Sequence, residues 1–158
     1  MNKRIVVNTS PLIAFEKMRA FDFIGKLPLD FICPPQVQTE ILAGAAKGYS
    51  VSFPSWLKIV QLAAPLTPLA LASLDAGEAA VIESALEQNI ALVCLDEIKG
   101  RRAALASGLQ VVGSLGLLGK AKTLGLISQI RPLIERAQNS GIYYDAKLVK
   151  DFLHKLGE

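Results

Sequence analysis

Four polar side chains stand where chemistry could use them. Asn8 follows the apolar run IVV, Glu40 sits in QVQTEIL, Glu78 in DAGEAAVIESA, and Asp96 ends IALVCLD. Oxygen donors of this kind suit hard cations, and a carboxylate cluster fits Mg²⁺ or Mn²⁺ at roughly 2.0–2.2 Å. A cation so held can stabilise charge on a phosphodiester during its cleavage. The single histidine, His154, lies close to the C-terminal end, which disfavours a zinc centre or a Ser-His triad. Acid-only metal chemistry is what the composition leaves open. Each position also has a plainer reading. Asp75-Ala-Gly-Glu78 forms a capping box with Asp in place of Ser or Thr. Glu40 could be a solvated surface acid, Asp96 a helix cap and Asn8 a turn residue. The functional reading rests on the four together.

The elements that must position them follow from pattern. Ile5–Val7 reads as a short buried strand. Ser10 reads as the N-cap and Pro11 as the first residue of a helix to Met18, which leaves Asn8 at a strand end beside a helix N-terminus. Phe21–Leu27 reads as a short helix and Phe31–Cys33 as a second strand. Pro34-Pro35 launches a helix to about Ala46, with Val37, Ile41 and Leu42 on one face. Gly44–Ser55 reads as a loop and Leu57–Leu62 as a strand, while Pro65–Ser73 takes no assignment. A helix covers Asp75 to about Gln88, and Ile90–Leu95 is the best strand. Another helix runs from about Gly100 to Ala106 and stops at Gly108, followed by the strand Leu109–Val112. Helices Leu115–Leu124, Ser128–Gln138 (capped by Ser128) and Asp145–Leu156 (capped by Asp145) complete the chain. Strands alternating with helices predict an α/β fold with a mostly parallel sheet and an all-helical C-terminal third. Such a sheet gathers its strand ends on one edge. Asn8, Asp96 and the first-turn Glu78 belong there, whereas Glu40 depends on how its helix packs.

The totals agree with one domain over residues 1–158, with a core of about 5–125 and a helical extension of about 126–158. The apolar fraction is 51% and the charged fraction 20%, so some apolar surface is left for a partner or a second copy. A net charge of +3 is compatible with nucleic acid without demanding it. Cys33 and Cys94 sit in apolar runs and read as buried thiols. No signal peptide and no apolar run of ~18 residues is seen, so the expectation is a cytoplasmic protein without membrane contact. GSLGLLGKAKT, from Gly113, is not a phosphate loop: Ser114 stands where a glycine is needed and Ala121 where a hydroxyl is needed.

With these residues in place, the chain resembles the PIN-domain family of metal-dependent ribonucleases, which includes VapC-like toxins. The family pattern is an acid after the first strand followed by a small hydroxyl residue, a Glu on a following helix, an acid opening a later helix, and an Asp ending the strand after that helix. Here the run NTS holds the first place, and Glu40, Glu78 and Asp96 hold the others. The chain looks closest to a PIN-like subfamily with a TSPLI-like start, a GEAA-type helix, an LDE-x-x-GRR-like fourth motif and a Gly-rich strand–helix after it. The match spans about Ile5 to Gly125. The resemblance implies a parallel sheet flanked by helices, Mg²⁺ or Mn²⁺ at the acids, RNA cleavage, a homodimer, and a small antitoxin that blocks the site. It also implies that Asn8, Glu40, Glu78 and Asp96 are the catalytic and metal-binding positions, with Thr9 and Ser10 supplying supporting hydroxyls.

Two places depart from that pattern. Glu78 stands where Asp is more usual. Asn8 stands where an acid is expected, keeping one carbonyl oxygen but losing a charge and the second anionic oxygen. Metal affinity should fall, because ligand charge sets it. Asn8 is thus a tolerated ligand, a silencing substitution, or the mark of a PIN-like module that binds RNA or protein without cutting. Lys99, Arg101 and Arg102 could hold phosphate or form a solvated helix face. The two arginines, about 100° apart on a helix, cannot both face the site. A phosphate-accepting regulator is the third class, and it lacks the acidic pair it needs beside the first strand.

Overall fold

Ile5, Val6 and Val7 favour extended backbone and gain most when both faces of their strand are covered. The computed structural model describes residues 2–46 and 52–158, and in it these three side chains have no exposed surface. Each such burial contributes about 1.5–3 kcal/mol. They lie in β1 (Lys3–Val7), which with β2 (Leu29–Cys33), β3 (Lys58–Ile59), β4 (Leu92–Cys94) and β5 (Gln110–Val112) makes a five-stranded sheet. The order is β3–β2–β1–β4–β5 and every pairing is parallel. The flanking helices are α1 (Thr9–Lys17), α2 (Phe21–Ile24), α3 (Pro35–Ala46), α4 (Pro68–Leu71), α5 (Ala76–Glu87), α6 (Ile98–Ala106), α7 (Ser114–Thr123), α8 (Arg131–Asn139) and α9 (Ala146–Lys155). The expected α/β architecture is borne out, and among the described residues the chain after β5 is built only of helices.

The strand order sets where a site can form. From β1 the chain moves outward to β2 and β3, then returns to β4 on the other side of β1, in the register Ile5↔Leu92 and Val7↔Cys94. The loops leaving β1 and β4 therefore diverge, opening a crevice at their carboxyl ends. The Asn8 N–H donates to the Cys94 carbonyl at 3.1 Å, carrying the ladder to the floor of that crevice.

Several boundaries differ from expectation. Helix α1 starts at Thr9 with Asn8 as N-cap, so Ser10 lies inside the first turn and is not the cap. On α3, Val37 and Ile41 are buried but Leu42 is 55% exposed, because one residue past Ile41 turns about 100° away from the core. The loop expected from Gly44 begins later, since α3 continues to Ala46, and its centre at 47–51 lies outside the described residues. The strand expected over Leu57–Leu62 is cut to Lys58–Ile59, as β3 is an edge strand paired only with β2. The unassigned Pro65–Ser73 contains α4, with Thr67 accepting from the Ala70 N–H. Ser128 caps nothing; α8 begins at Arg131, and its first N–H groups meet Glu158 instead. There, one carboxylate accepts from Ile130 N–H (2.8 Å), Arg131 N–H (3.0 Å) and the Lys122 ammonium (2.9 Å), tying α7, α8 and the end of α9 together. Cys33 and Cys94 are free and buried; burial pushes the Cys33 thiol up to about 12. Among the described residues, no helix is long and apolar enough to cross a membrane.

Candidate metal centre

Asn8 is held by β1 and the Cys94 carbonyl, and only 4% of its surface is exposed. Its Oδ1 is buried and has no hydrogen-bond partner. A buried polar atom left alone costs about 1–3 kcal/mol, so such an atom at the floor of a crevice asks for a ligand. The same holds for Glu78, which is 3% exposed and whose Oε2 also lacks a partner.

The capping box read from the sequence is present in full. The Glu78 N–H donates to Asp75 Oδ1 at 2.7 Å, and Glu78 Oε1 accepts from the Asp75 N–H at 3.2 Å. The box occupies only one of the two carboxylate oxygens. It thereby fixes the side chain so that Oε2 faces α6, 2.9 Å from where a Cβ on Gly100 would stand. The plain reading and the functional reading of Glu78 are compatible.

Glu40 reaches the crevice from α3. The Thr9 hydroxyl donates to its Oε1 at 2.9 Å. That oxygen lies against Gly77, where a Cβ would overlap it and would also come within 3.1 Å of Asn8 Oδ1. Asn8 and Glu40 thus share one small space, kept open by a glycine beside Glu78.

Asp96 follows β4 and is aimed differently. Its Oδ1 accepts from the Ser114 N–H at 2.7 Å, at the start of α7. The Ser114 hydroxyl shares a 2.8 Å hydrogen bond with the Tyr144 hydroxyl, and Ser114 is wholly buried. Arg101 turns back into this corner, donating to the Leu95 carbonyl at 2.9 Å. A Cβ on Gly113 would come within 2.9 Å of both Arg101 Nη1 and Asp96 Oδ1. Lys99 and Arg102 are exposed on α6, so the two arginines do point apart.

The tightest carboxylate group is not the expected one. Asp75, Glu78 and Glu97 each bring an oxygen within 4.8 Å of the others. Among the described residues no such triple contains Glu40 or Asp96. The sequence reading missed Glu97 altogether and took Asp75 only as a cap. Glu97 is the N-cap of α6 but makes no capping bond; its Oε1 accepts from the Ser10 hydroxyl at 3.1 Å instead. The available signal was its place directly after Asp96 at a strand end.

The electrostatics match this crowding. Burial pushes the Glu40 carboxyl up, the Thr9 hydroxyl opposes it, and the Asp75 and Glu97 charges push it further. Glu78 is raised by burial, restrained by its bond to the Asp75 N–H, and raised again by Asp75 and Glu97. Asp96 is raised by burial against the Ser114 N–H and hydroxyl and the Arg101 guanidinium, with Glu97 adding to the rise. Glu97 is the one charge felt at all three acids. Partly desolvated carboxylates at close quarters, together with two unpartnered oxygens, fit a hard divalent cation that would relieve repulsion and desolvation at once.

Beside Glu40, a groove of about 360 Å³ opens between α1, α3 and the end of α8, lined by Leu12, Ile13, Phe21, Ile41 and Ile142. The sequence model of one family, described as a PIN domain, matches residues 4–158. No curated protein matches the chain.

Proposed function

The chain belongs to the PIN-domain family, and from that premise and the geometry of its acids we propose that it is a divalent-metal-dependent ribonuclease. The observation that carries the proposal is the pair of buried, unpartnered oxygens, Asn8 Oδ1 and Glu78 Oε2, in a carboxylate-lined crevice where β1 and β4 diverge. Asn8, Glu40, Glu78 and Asp96 are the proposed metal-holding positions. A bound Mg²⁺ or Mn²⁺ supplies Lewis-acid stabilisation of charge on a phosphodiester under attack.

The chain's own residues do the rest. Thr9 orients the Glu40 carboxylate, and the capping box orients Glu78. Ser114, backed by Tyr144, fixes Asp96. Burial raises the proton affinity of Glu40, Glu78 and Asp96, the direction that favours a carboxylate acting as a general base. Lys99 and Arg102, exposed on α6 three and six residues beyond Asp96, contact the RNA backbone, while Arg101 stays with Leu95 and Asp96. On this reading the chain is the toxin of a toxin–antitoxin pair: a small antitoxin covers the acids, and Ile98, 66% exposed beside Glu97, gives it an apolar anchor. The assembly is a homodimer, which light scattering checks.

The test is cleavage of mixed RNA with Mn²⁺, Mg²⁺ or EDTA. Cutting by the natural sequence that is abolished by EDTA, Glu40→Ala and Asp96→Ala supports the reading. Unchanged cutting by those variants rejects it. If only Asn8→Asp cuts, the natural chain is a binding module on a nuclease scaffold, the reading that Asn8 favours.

A further inference from the structure

An asparagine at position 8 leaves the end of β1 without the charge that a cation site at that point would use. We propose that Glu97 restores it: a divalent-cation ligand delivered from the N-cap of α6, compensating across the crevice for Asn8. The inference deepens the metal-centre reading and rests on it.

Three independent features point to Glu97. First, its carboxylate is within 4.8 Å of oxygens from Asp75 and Glu78. Glu78 is almost wholly buried, and its Oε2 has no partner and faces the first turn of α6, the helix that Glu97 begins. Second, Glu97 is not used by its own helix. An acid at an N-cap ordinarily accepts from the N–H two or three residues on; Glu97 does not. Asp75, by contrast, commits Oδ1 to the Glu78 N–H. Among the described residues the ion pair is Lys122–Glu158, and no basic side chain neutralises Glu97. Third, Glu97 is bound to the very loop that lacks the acid. The Ser10 hydroxyl, two residues after Asn8, donates to Glu97 Oε1 across the gap between β1 and β4. The bond leaves Oε2 for a cation. A carboxylate tethered there stands in for one attached at position 8, because both loops rim the same crevice.

The proposal predicts reciprocity. An acid at position 8 should make Glu97 dispensable, since ligand charge count governs affinity for a hard cation. The experiment is a Mn²⁺ titration of the full chain by calorimetry, with free Mn²⁺ followed by electron paramagnetic resonance and folding verified by thermal melts. The variants are Glu97→Gln, Asn8→Asp and the pair together; glutamine keeps the oxygen that Ser10 bonds, so the fold is retained. Glu97→Gln should weaken Mn²⁺ binding by about tenfold or more, Asn8→Asp should tighten it, and the double variant should return to within a few-fold of the natural chain. Unchanged affinity in Glu97→Gln overturns the proposal. So does a loss that Asn8→Asp does not recover, and so does a natural chain that binds no Mn²⁺. The readout does not involve RNA: reciprocal binding without cleavage would sink the ribonuclease reading alone, and metal-dependent cleavage with Glu97→Gln binding normally would sink only this one.

Discussion

Gly77→Ala should separate the metal centre from the fold. Gly77 has no left-handed backbone to protect, so alanine in this helix gains at most about 1 kcal/mol of propensity. Its methyl group would overlap Glu40 Oε1 and crowd Asn8 Oδ1 at 3.1 Å. The Glu40 side chain is half-buried on a helix and can swing outward, at the cost of its bond from the Thr9 hydroxyl. A hydrogen bond to a charged acceptor contributes about 1.5–3 kcal/mol, with a half-exposed one at the low end. The two effects nearly cancel, leaving a net loss of no more than about 1 kcal/mol, or a fall in Tm of about 2–4 °C for a chain this size. The cation would lose Glu40 and find its approach to Asn8 filled, so Mn²⁺ affinity should fall by at least about tenfold, equivalent to about 1.4 kcal/mol. Calorimetric Mn²⁺ titration alongside a thermal melt reads both quantities. A folded Gly77→Ala that binds Mn²⁺ as the natural chain does would refute the idea that Glu40 and Asn8 share one cation.

Stability should respond to pH in opposite senses at two places. Burial raises Glu40, Glu78 and Asp96 above their unfolded values, so their contribution is fully present below the ordinary carboxylate range and is lost as pH rises through their raised values; without added metal, Tm should be higher at about pH 5 than at about pH 7, and Mn²⁺ should remove the difference. Glu158 has the opposite sign: burial alone would raise it, but the Lys122 ammonium and the Arg131 and Ile130 N–H groups outweigh that and lower it. Its contribution is present above the ordinary glutamate value and fades as pH falls through the lowered one, and Glu158→Gln should cost about 1.5–3 kcal/mol at neutral pH by urea unfolding; no change in midpoint would show that the tie is not formed in solution. Tyr144→Phe leaves the buried Ser114 hydroxyl without its 2.8 Å partner, so it should cost about 0.5–1.5 kcal/mol and lower kcat through a less firmly held Asp96, with KM for RNA little changed; an unaltered melt and kcat would dismiss that role.

The sheet was legible because its strands announce themselves. IVV and ALVC are runs that pay off only when covered on both faces, and alternation with helices allows few topologies besides a parallel sheet. Asn8 and Asp96 could be placed at one edge on that ground alone. What pattern could not supply was direction. Asp96 bonds Ser114 because α7 begins there, and nothing in the local sequence says so. An acid at a helix start, as Glu97 is, ordinarily serves the helix dipole, and only the tertiary position of Ser10 shows that it serves something else. Ser10 itself, a strong N-cap type followed by Pro11, is overridden when the helix starts two residues earlier, at Thr9. The glycines at 77, 100 and 113 read as helix or turn residues, and their use as clearance for carboxylates depends on helices brought together from distant segments.

The placement of β1 has a further consequence, for the nascent chain. The crevice is closed by contacts such as Ser10 with Glu97, 87 positions apart. At translation rates of about 5–20 residues per second, roughly 4–17 s separate the two ends of that contact. Until β4 emerges, β1 has one flank unpaired, and contacts spanning such a distance form slowly. β1 is thus completed only when β4 pairs with it. A growing chain therefore carries no assembled acid site until the segment that brings Asp96 and Glu97 beside β1 has emerged.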